Sequence, residues 1–339
     1  MRIWILLACL MLLLGCAGEQ PPAGENKSNG ANKTNESPIK IISGEQKNQT
    51  ILKNETKPPP PPEENKSMQY TYDPEQRFSI FFINVGGPAL HGDAILLKKG
   101  DMDILVDAGP MQNGSKVVDF LRARGVDDIE VLISTNADPR HYGGIGTVAD
   151  NYKIEEFWWN GETSDDPDYS ALIKRMENES KAVKIVDAGF NADLNGINIS
   201  VLNPSIAKKF DDVNNDAIVL RMADRNFSML LTSGIQTGAQ GMLINEIGSQ
   251  VKARVMQAPY YGVGAGTSNI GIFLLSAKPE TVIISGSSDE SAQNGGSREP
   301  FKRIMAQYKI AYFENYKNGT IKVTSDGNEY AVMALGKGQ

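Results

Sequence analysis

Histidine and cysteine are almost missing from this chain: its 339 residues hold two of each. With only His91 and His141 available, a His-rich zinc cluster cannot be assembled from this sequence. Cys9 and Cys16 both lie at the extreme N-terminus, so no cysteine pair is left to cross-link the body, and stability must come from a hydrophobic core. Positive charge is also in short supply. A net charge of −7 gives no global field toward nucleic acid or anionic lipid and leaves only local basic patches for that purpose. The longest apolar run, Ile3–Leu14, falls short of the roughly 20 residues that a membrane-spanning helix needs. No internal period suggests a solenoid.

What is present at the N-terminus is an export signal. Met1-Arg2, the apolar run and Gly15-Cys16 give the order of charge, hydrophobic stretch and small residue at which such signals are cut. Leu13-Leu14-Gly15-Cys16 resembles a prokaryotic lipobox, which makes Cys16 the expected lipidation site and places the protein outside the cytoplasm, anchored to the cell membrane. An ordinary signal peptide or an uncleaved anchor is the alternative. Residues 1–15 are therefore read as the signal, and 16–72 as the lipidated Cys plus a stalk rich in Asn, Lys, Ser, Thr and Pro. This stalk has too little apolar surface to offset its ordering entropy. A flexible chain of that length holds the remainder about 40 Å from its anchor. The stalk carries Asn-x-Ser/Thr sequons at Asn26, Asn32, Asn35, Asn48, Asn54 and Asn65, which are glycan acceptors or simply the recurrence of common linker residues.

From residue 73 to 339 the pattern is that of a folded domain, with its first signal near Arg77. Phe78–Val85, Asp93–Lys98 and Met102–Ala108 read as strands, with Gly100-Asp101 turning the chain between the last two. Ser115–Arg124 has helical spacing and stops at Gly125, and Ile129–Ser134 is a buried strand. Later strands are expected at Asn198–Asn203, Ala217–Ala223, Phe227–Thr232, Val251–Gln257, Thr281–Ser285, Ile310–Phe313, Gly319–Thr324 and Glu329–Ala334. Helices are expected at Gln236–Ile247, after a cap at Thr267 or Ser268, and at Glu299–Tyr308. Strands first in hairpins and later alternating with helices predict an α/β (α+β) fold, an αββα sandwich of two mixed sheets with helices outside.

The stretch with most chemistry is Ile133-Ser134-Thr135-Asn136-Ala137-Asp138-Pro139-Arg140-His141-Tyr142-Gly143-Gly144. It resembles the metal loop of the metallo-β-lactamase fold, Thr-His-x-His/Asp-x-Asp-His-x-Gly-Gly, with Asn136 at the first His position and Arg140 at an Asp position. Other segments follow in the family's order: His91-Gly92-Asp93-Ala94-Ile95-Leu96, Ile104-Leu105-Val106-Asp107-Ala108-Gly109, Asn215-Asp216-Ala217-Ile218-Val219-Leu220 and Leu230-Leu231-Thr232. Together, residues 77–335 resemble the extracytoplasmic metallo-β-lactamase-like domain of ComEC-type competence channels, which act in DNA uptake. This resemblance implies a metallo-β-lactamase-like sandwich and, in active members, a metal-dependent phosphodiesterase or nuclease.

Measured against that family, the metal site is degenerate. Asn136 and Arg140 are an amide and a permanent cation, both poor metal ligands. Gly234 stands where the resemblance places a metal-bridging Asp, Tyr261 where it places a His, and Glu299 where it places the His of Gly-His-Pro. Asp107 and Asp216 correspond to carboxylates that support the loop from behind. Asp138 and His141 are the remaining candidates for a metal, and with Asp216 or Glu299 they would form an oxygen-rich site suited to a hard cation. The simpler reading is an inherited loop in which His141 bonds backbone and Asp138 pairs with Arg140. A catalytic role without metal is a third.

Tyr142, Trp158, Trp159, Tyr260 and Tyr261 offer an aromatic floor for a base or sugar, with core packing or an edge strand as the alternative for the tryptophans. The expectation is a binding or accessory protein with no cofactor, taking a small molecule or a protein partner. The alternative is a metal-dependent hydrolase using zinc or manganese. Nucleic acid enters only through the ComEC resemblance.

Overall fold

The computed structural model describes residues 76–87, 91–205, 209–210, 212–264, 271–287 and 296–336. The signal, Cys16, the stalk and its sequons, Pro88–Leu90, Thr267 and Ser268 lie outside them. Among the described residues, no helix is long and apolar enough to cross a membrane.

The first sheet is laid down mostly by the first half of the chain. β1 (Phe78–Phe82), β2 (Ile95–Lys99) and β3 (Met102–Val106) form an antiparallel meander; β4 (Ile129–Ser134), β5 (Ile154–Trp159) and β6 (Ala182–Ile185) then add in parallel. The parallel steps need crossovers. These are α1 (Gly114–Ala123), the short turns α2 (Pro139–Tyr142) and α3 (Ile145–Ala149), and α4 (Pro167–Glu179). The second sheet starts antiparallel with β7 (Asn191–Leu194), β8 (Ile197–Asn203), β9 (Val219–Asp224) and β10 (Phe227–Leu231). It continues in parallel through α5 (Thr237–Ile247), β11 (Val255–Gln257), α6 (Gly271–Ala277), β12 (Thr281–Ile284), α7 (Glu299–Gln307) and β13 (Ala311–Glu314). The chain then returns through α8 (Asn315–Asn318) to the first sheet as β14 (Ile321–Ser325) and β15 (Tyr330–Ala334). The spatial orders are β15-β14-β1-β2-β3-β4-β5-β6 and β13-β12-β11-β10-β9-β8-β7.

Three apolar layers make this an αββα sandwich. Phe78, Phe82, Ile104, Ile133, Trp158, Ile199, Met222 and Phe227 belong to the core between the sheets. Leu105, Leu121, Leu132, Phe157 and Met176 belong to the layer under α1, α3 and α4, and Leu230, Leu243, Met256, Phe273 and Met305 to the layer under α5, α6 and α7. A sheet covered on both faces buries every side chain of its central strands, which is why β4 is mostly apolar, with Glu130 and Ser134 as its polar residues, and is buried along its whole length. Gly125, at φ +68°, ends α1 in a left-handed turn that a side chain would strain.

Most expected elements lie within a few residues of their positions. Seven of the labelled elements had no sequence expectation: β5, β6, β7, α4 and the short helices α2, α3 and α8. The helix signal for α4 was present, since Asp166 caps it by accepting from the Asp168 N–H, Pro167 occupies the first turn, and Tyr169, Leu172, Ile173 and Met176 form its buried stripe. The aromatic residues do not assemble into one floor. Trp158 and Trp159 alternate to opposite faces of β5, so Trp158 packs on Phe190 (5.0 Å) between the sheets and Trp159 joins the outer layer, where Tyr142 of α2 packs on Tyr169 (4.9 Å); Tyr260 and Tyr261 pack on each other.

Candidate functional site

Parallel strands bring their carboxyl ends to one edge, so the loops after β3, β4, β10, β11 and β12 converge there. Asp107 leaves β3 with φ +57°, a left-handed conformation that L-residues avoid and that Asp tolerates better than most. Its carboxylate is fully engaged. Thr135 donates from its N–H (2.8 Å) and its hydroxyl (2.7 Å), and His141 places Nδ1 at 2.8 Å. Asp107 therefore ties the loop after β4 to the end of β3. Gly144 permits the contact from the other side, since a Cβ there would stand 2.2 Å from the Ala108 carbonyl oxygen.

His141 is completely buried. A carboxylate only accepts, so Nδ1 carries the proton toward Asp107, and Nε2 faces the Tyr261 hydroxyl at 2.8 Å. Burial opposes a charge on this ring, but Asp107, Asp93 and Asp138 outweigh it and raise the His141 pKa. Burial, followed by the nearby Asp93 charge, pushes the Tyr261 hydroxyl well above its ordinary value. The expectation that His141 bonds backbone is thus corrected for its ring: both nitrogens meet side chains, because the Asp107 and Tyr261 groups are delivered by neighbouring strand ends.

Asp138 pairs with Arg140, as the simpler reading had it. The Arg140 Nε reaches both carboxylate oxygens at 2.8 and 2.9 Å, and its Nη2 also contacts Oδ2. Burial favours the neutral acid, yet the Arg140 hydrogen bonds and the His141 charge hold Asp138 at about 2. The remaining Arg140 nitrogen, Nη1, lies 2.9 Å from His91 Nε2. Because guanidinium has only donors, this His91 nitrogen accepts; burial and Arg140 together lower its pKa to about 4. His91 meets the edge of Tyr261 with ring centroids 4.7 Å apart, and Arg140 lies over Tyr260 and Tyr261.

Two further residues hold the neighbouring loops, Gln257 the one after β10 and Arg298 the one after β11. Gln257 Oε1 accepts from the N–H groups of Thr232 and Ser233, each at 3.0 Å. Arg298, fully buried, donates from Nε to the Tyr261 carbonyl at 2.9 Å and packs on Tyr316. Tyr260 and Tyr261 are consecutive left-handed residues, and Ser233 is another, so three residues of this corner are held in conformations costing roughly 1–2 kcal/mol each. Sequence reasoning assigned no role to Gln257, Arg298 or Asp93. Gln257 closes β11, Asp93 precedes β2 and Arg298 precedes α7, so position was their one signal.

Asn136 is buried and turns its Oδ1 to the Asp138 N–H, leaving Nδ2 without a partner among the described residues; Asn214 Oδ1 is in the same condition. Both crowd Gly234, where a Cβ would lie 2.5 Å from Asn214 Oδ1 and 3.2 Å from Asn136 Nδ2. Asn136, Asp138, Arg140, His141, Gly234, Tyr261 and Asp107 thus meet in one corner.

Asp216 and Glu299 are engaged elsewhere. Asp216 accepts from the Phe210 N–H at 3.0 and 2.9 Å, and with burial it pushes Glu162 up. Glu299 is exposed in the first turn of α7 and pairs with Lys302. Among the described residues, no group of three His, Cys, Asp or Glu side chains is placed to hold a metal. The corner as arranged does not fit a zinc pair: His141 has no open nitrogen, Asp138 is held by Arg140, and Asn136 and Gly234 supply no anionic ligand. A separate small cavity of about 250 Å³ adjoins Tyr142 and Gly143, lined also by Met111, Leu172 and Arg175.

No family model matches the chain. It is 24% identical over 217 residues to ComE operon protein 3 of Bacillus subtilis, an alignment covering 63% of this chain and 27% of that protein. The chain therefore spans only about a quarter of the length of that relative. Among solved structures, the metallo-β-lactamase fold protein YhfI of Bacillus subtilis matches 76% of this chain and 100% of its own, with a TM-score of 0.49 and 11% identity. Igni18, a metallo hydrolase from the archaeon Ignicoccus hospitalis, matches 75% of this chain and 98% of its own, with a TM-score of 0.43 and 12% identity. The αββα architecture rests on the strand orders and the three apolar layers, and the chain carrying it is similar in sequence to ComE operon protein 3.

Proposed function

We propose that the protein is a binding or accessory protein whose metallo-β-lactamase-type centre is degenerate. In this reading it is exported, anchored to the cell membrane through lipid on Cys16, and takes a small molecule or a protein partner at the loop edge. The observation that carries it is the closed wiring of the site. Both nitrogens of His141 and both oxygens of Asp138 already face Asp107, Tyr261 and Arg140, so a hydrolytic cation would have to displace a guanidinium.

The test is metal content and turnover of the purified full-length chain, with a chromogenic phosphodiester and single-stranded DNA in added zinc or manganese. No stoichiometric zinc and no turnover are expected. Zinc lost on Asp138→Ala, or turnover lost on His141→Ala, would overturn the reading in favour of a metal-dependent phosphodiesterase or nuclease, the alternative that the ComEC-type resemblance implies. Restoring a metal centre should take Asn136→His, Arg140→Asp, Gly234→Asp and Tyr261→His together. Clearance at Asn214 is needed too, because its Oδ1 stands where a side chain at position 234 must begin. For the anchor, the expected outcome is an acylated Cys16 by mass spectrometry of the mature N-terminus and release from membranes on Cys16→Ser.

A further inference from the structure

Four strands bound the two sheets: β15 and β6 in one, β13 and β7 in the other. An open edge presents unpaired N–H and C=O groups to any other strand, and proteins blunt such edges with charge, proline or shortness. β6 contains Lys184, β7 contains Asp193 and β13 contains Glu314, and each has four residues. β15, Tyr330-Ala331-Val332-Met333-Ala334, has five residues and neither charge nor proline.

Among the described residues no strand pairs with the outer side of β15. β15 pairs with β14 so that Val332 lies opposite Val323, and the Leu335 N–H donates to the Thr320 carbonyl at 2.9 Å. Backbone groups alternate in direction along an antiparallel strand, so Ala331 and Met333 bond toward β14 while Tyr330, Val332 and Ala334 turn theirs outward. Val332 and Tyr330 pack half-buried on the inter-sheet core, and Met333 is 49% exposed on the outer face.

We propose that β15 is a self-association edge on which a second copy of this chain adds its own β15, antiparallel and centred on Val332. The side-chain pattern is self-complementary about that residue. In this register Val332 faces its counterpart, Tyr330 faces Ala334 of the other copy and Met333 faces Ala331, so each large side chain meets a small one on both faces of the joined sheet. The contact is symmetric and closes on itself, which yields a dimer and no filament.

Sedimentation equilibrium of the full-length chain in detergent tests this. A monomer–dimer equilibrium is expected. Ala331→Lys with Met333→Lys, or Ala331→Glu with Met333→Glu, places like charges across the two-fold and should weaken association about tenfold or more. Mixing the two double variants should restore it, since position 331 of one copy faces 333 of the other. Thermal melts of both variants verify that these exposed substitutions leave the fold intact. Val332→Cys should give an oxidised dimer above the level of the unmodified chain, and Asp193→Cys on the β7 edge should not. A chain monomeric up to about 100 µM, self-association unchanged in both double variants, or no recovery on mixing would each overturn the proposal.

Discussion

β3 and β4 run side by side and carry acid at both ends, yet the two ends treat it in opposite ways. Where the strands finish, Asp107 has three donors and Asp138 has a guanidinium, which holds Asp138 at about 2. Where they begin, Asp103 has Lys98 as partner, and Glu130 accepts the Asp103 N–H at 2.7 Å and faces no cation of comparable closeness among the described residues. Burial there pushes Asp103 up to about 6 and Glu130 up to about 7. At the loop end Asp138 is held ionised, while burial pushes neighbouring Asp93 up; at the opposite end burial pushes up both Asp103 and Glu130. Ionisation of Asp138 should therefore tighten its pole of the sandwich, and ionisation of Glu130 should loosen the other.

The largest effect is expected from Asp107→Ala. It removes the acceptor shared by Thr135 and His141 in a fully buried setting, and about 3–5 kcal/mol of stability should go with it. Asp107→Asn keeps an acceptor for Thr135 and tolerates the left-handed backbone, so its loss should be smaller. Urea unfolding of both variants provides the measurement; an alanine variant within about 1 kcal/mol of the parent would mean that the loop is held elsewhere.

Arg140→Met comes next, with about 2–3 kcal/mol at neutral pH, tempered because the guanidinium is 21% exposed. The pH dependence has a definite sign. Asp138 titrates lower in the fold than in the unfolded chain, so its contribution is complete above the ordinary value of 3.8 and is lost as pH falls through about 2. The gap between parent and variant should narrow over that window and stay constant above it.

Glu130→Gln reverses the sign. Glu130 titrates at about 7 in the fold against an ordinary 4.5, so its favourable contribution is present below the lower value and disappears as pH rises through the higher one. Glutamine keeps an acceptor for the Asp103 N–H without the charge. The variant should equal the parent near pH 4 and exceed it by about 1–2 kcal/mol near pH 8, read from urea midpoints at the two pH values. A variant that loses stability at pH 8 would remove the distinction between the poles.

The sequence revealed these features unevenly, for physical reasons. A central strand such as β4 keeps an unbroken Val131-Leu132-Ile133 run behind its single acid, Glu130, and can be read directly, whereas β5 begins Ile-Glu-Glu and hides its strand character behind carboxylates that pair with Lys153, Lys181 and Lys184. The loop from Asn136 to His141 was legible because its residues are contiguous. The His141 to Tyr261 contact spans 120 residues and exists only because parallel strands deliver their ends to one edge. Glu299 was singled out, but it is the preceding Arg298 that is buried against Tyr261, a difference set by the rotation of α7 and not by spacing. Nothing in the residue types at 260 and 261 announces two left-handed tyrosines.

That last feature gives the smallest and sharpest comparison, between strain at the site and strain at an ordinary turn. Tyr260 has φ +43° and Lys309 has φ +58°, both unfavourable for a side chain. Lys309 is exposed just beyond α7, where its N–H bonds the Ala306 carbonyl and the Ile310 N–H bonds that of Met305, a helix-ending turn in which glycine is preferred. Lys309→Gly relieves the strain and removes no buried contact, so it should stabilise by about 0.5–1 kcal/mol and raise Tm by about 1–4 °C. Tyr260→Gly relieves the same strain but deletes a buried ring that stacks on Tyr261 and lies under Arg140, so it should destabilise. Opposite signs in the two melts would show that left-handed tyrosines are retained by their packing. Stabilisation by both substitutions would mean that the strained corner is not supported by the aromatic and guanidinium contacts around it.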